Sequence, residues 1–156
     1  MTTLTTYSTT EKLIEVLGLE TGYAIGDHVA PGDTQTNPVD KERYIIVTRV
    51  PGGENPSPAM ADLHRDLWTT YQLTTICHTG HQAGRNAVDV AADKARAAIL
   101  DMAYDGQGLS LGYRVDLDST GVKVIGRVAG SHGDTILDDN AWIRHDRYRL
   151  LLTVDD

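Results

Sequence analysis

Hydrophobic and polar residues alternate along residues 67–77, which is the clearest pattern in the chain. β-branched and aromatic residues dominate this stretch, and such residues suit a pleated, half-buried surface, so the pattern predicts a long strand. One side of the alternation is formed by Leu67, Thr69, Tyr71, Leu73, Thr75 and Cys77. We expect the lone cysteine, Cys77, to be a buried apolar residue rather than a reactive thiol.

A helical spacing replaces the alternation beyond residue 82. Thr79 and Gln82 stand three residues apart, as in a capping box, so the helix is expected to begin just after Thr79. The mostly alanine stripe predicts a long helix that packs closely on a sheet. The stripe consists of Ala87, Val88, Ala91, Ala95, Ala98, Ile99 and Met102.

Weaker patterns predict the elements of the first half of the chain. Ser8 and Glu11 have the spacing of a second capping box, followed by a short amphipathic helix that ends near Gly18 or Gly22. Residues 23–29 predict a short strand. Residues 43–50 form an almost continuous apolar run, which indicates a central strand covered on both faces.

The second half of the chain predicts strands. Residues 109–117 alternate as a one-sided strand, residues 118–121 form a hairpin-like turn, and the alternation resumes over residues 122–128. Residues 142–154 predict a long closing strand. Its inward side is expected to carry Tyr148, Leu150, Leu152 and Val154.

These elements predict an α+β fold: a mixed, mostly antiparallel sheet with a long helix packed on it and a short N-terminal helix. The length of 156 residues is typical of a single domain, here residues 1–156. Turn-forming and small residues predict exposed loops near residues 30–40, 51–62 and 129–140.

Composition excludes some functions. The net charge of −8 argues against a sequence-independent nucleic-acid binder, because such proteins neutralise phosphates with surplus lysine and arginine. An acidic protein that DNA merely passes remains compatible with this charge. We expect no signal peptide and no membrane contact, since no apolar stretch is long enough to span a bilayer.

The candidate chemistry is sparse, and we expect no enzyme, no cofactor and no bound metal. Asp62, His64 and Asp66 occupy alternate positions, which favours a polar, exposed entry to the strand over a small metal site. His78 and His81 have a spacing seen in metal sites but lack a third ligand nearby. The alternative of another class is a small metal-dependent enzyme that uses His64, His78 and His81.

Several segments together carry a family resemblance. They are the run YIIVTRVPGG, a proline-rich loop that ends in ADLHRD, the strand TTYQLTTI, the helix start TGHQA and the closing segment WIRHDRYRLLLTV. Over residues 40–154 this order resembles the tail terminator proteins of long-tailed bacteriophages. The most specific pieces are residues 51–53, 62–64, 71–72 and 82–83.

The resemblance implies a structural role in the virion. Tail terminators form a hexameric ring on the end of the tail tube, stop polymerisation of the major tail tube protein, and provide the joining surface for the head–tail connector proteins. DNA passes through the ring without specific binding. The implied location is the head-proximal end of the phage tail, and the host cytoplasm during assembly. A head–tail connector (neck) protein of the same ring-forming class is the alternative.

Six residues are candidates for the contacts of such a ring or of the tube. Three precede the long strand and three form a basic strip on the closing strand, which stands out on an acidic protein. The candidates are Asp62, His64, Arg65, Arg144, Arg147 and Arg149. The strip either pairs with acidic residues of an adjacent subunit or forms a solvated strand face.

Overall fold

The structure, a computed structural model, describes residues 6–30, 43–50, 66–79 and 84–155. These residues form an α+β fold, as expected from the sequence. The helices are α1 (Tyr7–Thr21) and α2 (Gly84–Leu100). The strands are β1 (Ala24–Asp27), β2 (Arg43–Val50), β3 (Asp66–His78), β4 (Met102–Tyr104), β5 (Ser110–Tyr113), β6 (Val122–His132), β7 (Ile136–Asp138) and β8 (Ala141–Val154).

One mixed sheet dominates the described residues. Its strand order is β1-β2-β3-β8-β6, and β7 also pairs with β8. Only the β1–β2 pairing is parallel among these strands, so the sheet is mostly antiparallel, as predicted. β4 and β5 form a separate hairpin.

β3 is the central strand, and its predicted alternation is confirmed. Thr69, Tyr71, Leu73, Thr75 and Cys77 are buried on one side, whereas the residues at positions 70, 72 and 74 are only half-buried. β3 pairs with β8 along its whole length, and Tyr71 lies opposite Tyr148. Both rings therefore enter the same core, which also takes in Leu150 and Leu152 as predicted.

Both helices pack on the same face of the sheet. Leu13, Val16 and Leu17 of α1 share one core cluster with Ala91, Ala95, Ala98 and Ile99 of α2 and with the inward residues of β2, β3 and β8. The small alanine side chains let α2 approach the sheet, which confirms the predicted stripe. Met102 is the exception, because α2 ends at Leu100 and Met102 begins β4.

The helix ends differ in part from expectation. Ser8 lies inside α1, and the N-cap is Thr6, whose side chain makes no capping bond, so the Ser8–Glu11 capping box is wrong. Gly22 ends α1 as predicted: its φ of 74° suits glycine, and its N–H donates to the carbonyl of Gly18 at 3.0 Å. The capping box of α2 includes Gln82, which lies outside the described residues.

β2 is an interior strand, but the described residues cover only one of its faces. Ile45 and Val47 are buried against the helices, while Tyr44, Ile46 and Thr48 on the other side are half-buried. The expectation of cover on both faces was therefore wrong for the described part.

Residues 129–140 are not a single loop. β6 continues to His132, and residues 136–138 form β7, both paired with β8. The small residues of this stretch have a packing reason: a Cβ at Gly133 would lie 2.6 Å from the carbonyl oxygen of His145. Glycine permits this close approach of two backbones, and composition alone does not distinguish it from loop glycine. The other predicted loops, 30–40 and 51–62, lie almost wholly outside the described residues.

The predicted strand over residues 109–117 is shorter and lies elsewhere. Only Ser110–Tyr113 is strand, and it pairs with β4 instead of forming a hairpin with β6. Leu109 and Leu111 are exposed, whereas Leu117 is buried in the main core. The intervening chain therefore leaves the β5 hairpin and crosses to the helix side of the sheet.

Candidate interaction surface on the last strand

β8 carries the three arginines that the sequence grouped into one strip, and the fold separates them. Residues two apart on a strand share a face, so Arg147 and Arg149 lie on the side opposite Tyr148 and Leu150. Arg144 lies on the helix side with Asp146 and Tyr148. The single basic strip was therefore wrong, and Arg144 belongs to a different environment.

Arg144 is part of an internal charge network. Its Nε lies 3.1 Å from Oδ2 of Asp146, and its Nη1 lies 3.7 Å from Asp89 and 3.5 Å from Asp93. The side chain is only 16% exposed. Because Asp89 and Asp93 belong to α2, Arg144 ties that helix to β8. Its charge is compensated within the chain, which disfavours Arg144 as an interface residue.

Asp146 is the buried centre of this network. The residue is 1% exposed, and a buried carboxylate requires a cation and hydrogen bonds. Besides Arg144, its Oδ1 accepts a hydrogen bond from Nδ1 of His132 at 3.2 Å. Asp146 was not among the candidates predicted from the sequence, although its place on the inward side of β8 marks it as a carboxylate that needs a partner.

The histidine of this network is engaged at both ring nitrogens. Nη1 of Arg96 contacts Nε2 of His132, while Nδ1 contacts Asp146. The same Nη1 also lies 3.3 Å from Nδ1, so the guanidinium sits against the edge of the ring. The His132–Asp146 pair ties β6 to β8, and Arg96 joins α2 to the same network.

Tyr148 completes this environment. Its ring meets the ring of His132 edge-on, with 6.0 Å between the centroids. Burial, and next the negative charge of Asp146, raises the pKa of Tyr148. The phenol therefore stays protonated and neutral inside the core at physiological pH.

Arg147 and Arg149 occupy the open face of the sheet, which is the side opposite both helices. Nε of Arg147 donates to Oε1 of Gln72 at 3.0 Å, and the guanidinium of Arg149 lies 4.9 Å from the ring centroid of Trp68. Among the described residues, neither arginine forms an ion pair. β3 thus holds both guanidiniums in place, and both remain exposed.

β6 and β7 form an exposed edge of the same sheet. No described strand pairs with the outer side of β6. Four large apolar side chains are about half exposed along this edge: Ile125, Val128, Ile136 and Leu137. Val128 lies opposite Arg149 in the β6–β8 register, so the apolar edge adjoins the arginines of the open face.

An acidic groove lies on the helix side of the molecule, between α1 and residues 118–120. It has a volume of about 410 Å³ and is lined by Ser8, Glu11, Lys12, Glu15, Asp118, Ser119 and Thr120. The Oγ atoms of Ser8 and Ser119 are buried and have no hydrogen-bond partner among the described residues. Its three carboxylates outweigh one ammonium group, so the groove favours a cationic partner.

The remaining candidates of the sequence analysis are placed only in part. Asp62, His64, Arg65 and His81 lie outside the described residues. The ring of His78 lies 6.1 Å from that of Tyr44, at the end of β3. Within the described ranges, no group of three or more His, Cys, Asp or Glu residues has an arrangement that could hold a metal ion.

Comparisons with known proteins name no family for this chain. No protein-family model and no curated protein matches it. A solved structure whose name states no function aligns with 96% of this chain and 92% of its own, at 18% sequence identity and a TM-score of 0.49. A similarity of that size carries no argument. Of the two described helices, neither is long and apolar enough to cross a membrane.

Proposed function

We propose that this chain is a virion structural protein, a tail terminator that forms a ring on the end of a phage tail tube, stops its growth and offers a joining surface to the head–tail connector. The proposal starts from the resemblance over residues 40–154. It includes a hexameric ring as the working form and the head-proximal end of the tail as its place.

The observation that supports the proposal best is the apolar edge of the sheet. β6 and β7 expose Ile125, Val128, Ile136 and Leu137 beside a strand edge without a described partner. Unpaired edges with apolar side chains are sites of association with another chain. A ring subunit buries such an edge against its neighbours.

Charge is the second support. The net charge of −8 repels a phosphate backbone, so DNA would traverse a ring of these chains without being retained.

Electron microscopy of negatively stained tubes tests the role. The purified chain is mixed with growing tubes of the cognate tail tube protein, and both tube length and tube ends are recorded. Ring-shaped density at one end, with growth arrested, is the expected result. Bare ends and unchanged growth would overturn the terminator role, and binding to isolated connector proteins would then identify a neck protein.

The residues before β3 have their own test. In the double variant Asp62→Ala/His64→Ala, capping should weaken while the unfolding midpoint stays unchanged. The control variant Arg85→Ala/Lys94→Ala removes charges from the exposed side of α2 and should cap normally. Normal capping by a well-folded Asp62/His64 variant would remove these two residues from the contact.

Metal analysis separates the enzyme alternative. That alternative requires His64, His78 and His81 to hold a metal ion, so the purified chain would contain a stoichiometric transition metal. We expect none to copurify. A stoichiometric metal that is lost on replacing His78 with Ala would favour the enzyme.

A further inference from the structure

We propose that Arg147 and Arg149 of one copy dock into the acidic groove beside α1 of a second copy, where Glu11 and Glu15 receive them. This inference rests on the ring-forming role proposed above and identifies the contact that would build the ring. The two surfaces lie on opposite sides of the chain, since α1 covers the helix side and the arginines lie on the open face.

Neighbouring side chains of β3 already hold both arginines in position for such a contact. Gln72 holds Nε of Arg147 at 3.0 Å, and the Trp68 ring supports the guanidinium of Arg149 at 4.9 Å. Their terminal nitrogens meet no described acceptor. A guanidinium that is already positioned loses less side-chain entropy when it meets a carboxylate, and its planar fork suits two-point pairing.

The groove offers the complementary groups. Glu11 and Glu15 are exposed, and neither forms an ion pair within the described residues. Asp118 adds a third carboxylate to the same lining, which strengthens the attraction for two guanidiniums.

The spacings of the two partners agree. Residues two apart on a strand are separated by about 6.7 Å along the strand, which applies to Arg147 and Arg149. Residues four apart on a helix are separated by about 6 Å along its axis, which applies to Glu11 and Glu15. Both arginines can therefore face both glutamates at the same time.

Apolar contact next to the ion pairs would strengthen the association, because isolated exposed ion pairs contribute little. The open face also carries the ring of Trp68 and the side chain of Leu151. Both lie beside Gly126, which has no side chain to cover them: a Cβ at position 126 would lie 3.7 Å from Cη2 of Trp68. Val128 adds an exposed apolar side chain opposite Arg149.

A contact between two different surfaces of identical chains is heterologous. Each copy then uses its open face toward one neighbour and its groove toward the other, and the chain of contacts closes into a ring when the rotation permits. Such a contact can be recognised by charge reversal. A variant with the charges of its open face reversed should not self-associate, and neither should a variant with the charges of its groove reversed, but the two variants should associate with each other.

The test uses charge reversal in the full-length chain, followed by sedimentation velocity at low and high salt. Arg147→Glu/Arg149→Glu reverses the open face, and Glu11→Arg/Glu15→Arg reverses the groove. Each variant alone should associate at least tenfold more weakly than the parent chain. An equimolar mixture should regain association, since each reversed surface then meets its complement. The chain with all four substitutions keeps the net charge of the parent and should also regain association.

Three results would overturn the inference. If the parent chain stays monomeric at every concentration, the proposed contact does not form. Tube capping by that same chain would still support the proposed function. Self-association that neither reversal weakens places the contact on other surfaces. If reversal of the arginines impairs tube capping but does not affect self-association, the open face binds the tube protein rather than a second copy.

Discussion

Nε of Arg144 lies 3.1 Å from Oδ2 of Asp146, two positions further along β8. Alternation of side chains along a strand places this cation and this carboxylate on the same face. On that face they meet α2, whose Asp89 and Asp93 share the guanidinium. The same alternation separates Arg144 from Arg147 and Arg149, and of these three arginines only the latter two are available for other molecules.

Replacing Asp146 with Asn should destabilise the fold. The amide removes the negative charge and one of the two acceptor oxygens, so Arg144 and His132 cannot both keep an acceptor, and loss of hydrogen bonds to a charged group costs about 1.5–3 kcal/mol. Urea unfolding at neutral pH measures the difference. Asp134→Asn, at an exposed position without an ion pair in the described structure, is the matched control and should change the free energy of unfolding by less than about 0.5 kcal/mol. Equal effects at the two positions would contradict the structural role of the network.

Glycine should be required at position 133, because the backbone there lies close to the backbone of His145. In Gly133→Ala the new Cβ would lie 2.6 Å from the His145 carbonyl oxygen, so the strands must separate. Overpacking of this kind costs about 1–3 kcal/mol. Gly106→Ala is the matched control, since a Cβ there meets nothing within 4 Å. Thermal unfolding should show a lower midpoint only for the first variant, and an unchanged midpoint for Gly133→Ala would contradict the close approach.

Stability should fall in alkali because of two buried tyrosines. Burial raises the pKa of Tyr71 and of Tyr148, so the folded state holds these protons more tightly than the unfolded chain, where tyrosine ionises near pH 10. Their contribution is fully present below about pH 10 and is lost as the pH rises above it. Urea unfolding at increasing pH measures the slope.

A tyrosine replacement separates this effect from general alkaline denaturation. Tyr148→Phe should flatten the decline, because one proton difference between the folded and unfolded states disappears. Tyr104→Phe, at a ring that is 62% exposed, is the control and should retain the decline. Identical slopes for both variants would show that Tyr148 does not contribute to it.

Local pattern determined the best-predicted elements. The alternation of β3 was confirmed over residues 69–75, whereas Leu67 is only half-buried and Ile76 of the opposite side is buried. The alanine stripe of α2 was confirmed from Ala87 to Ile99. Both follow from the spacing of side chains in strands and helices. The inward side of β8 followed from the same rule for Tyr148, Leu150 and Leu152. The end of α2 did not, since Met102 continues the helical spacing after the chain has already entered β4.

The sequence by itself determined the fold class, the main strand and helix, and the side of each that faces the core, because burial repeats with the period of the element. Only the tertiary structure decided which strands pair, which edge stays exposed, and that Arg144 finds Asp89 on α2 while Arg147 and Arg149 remain on the open face. Those outcomes depend on contacts between residues that are distant in the chain. Neither the small residues of β6 nor the alternation around β5 identifies which residues will be in contact. The physical reason is that a periodic pattern specifies a face, whereas the neighbour that covers it is selected by the packing of the whole chain.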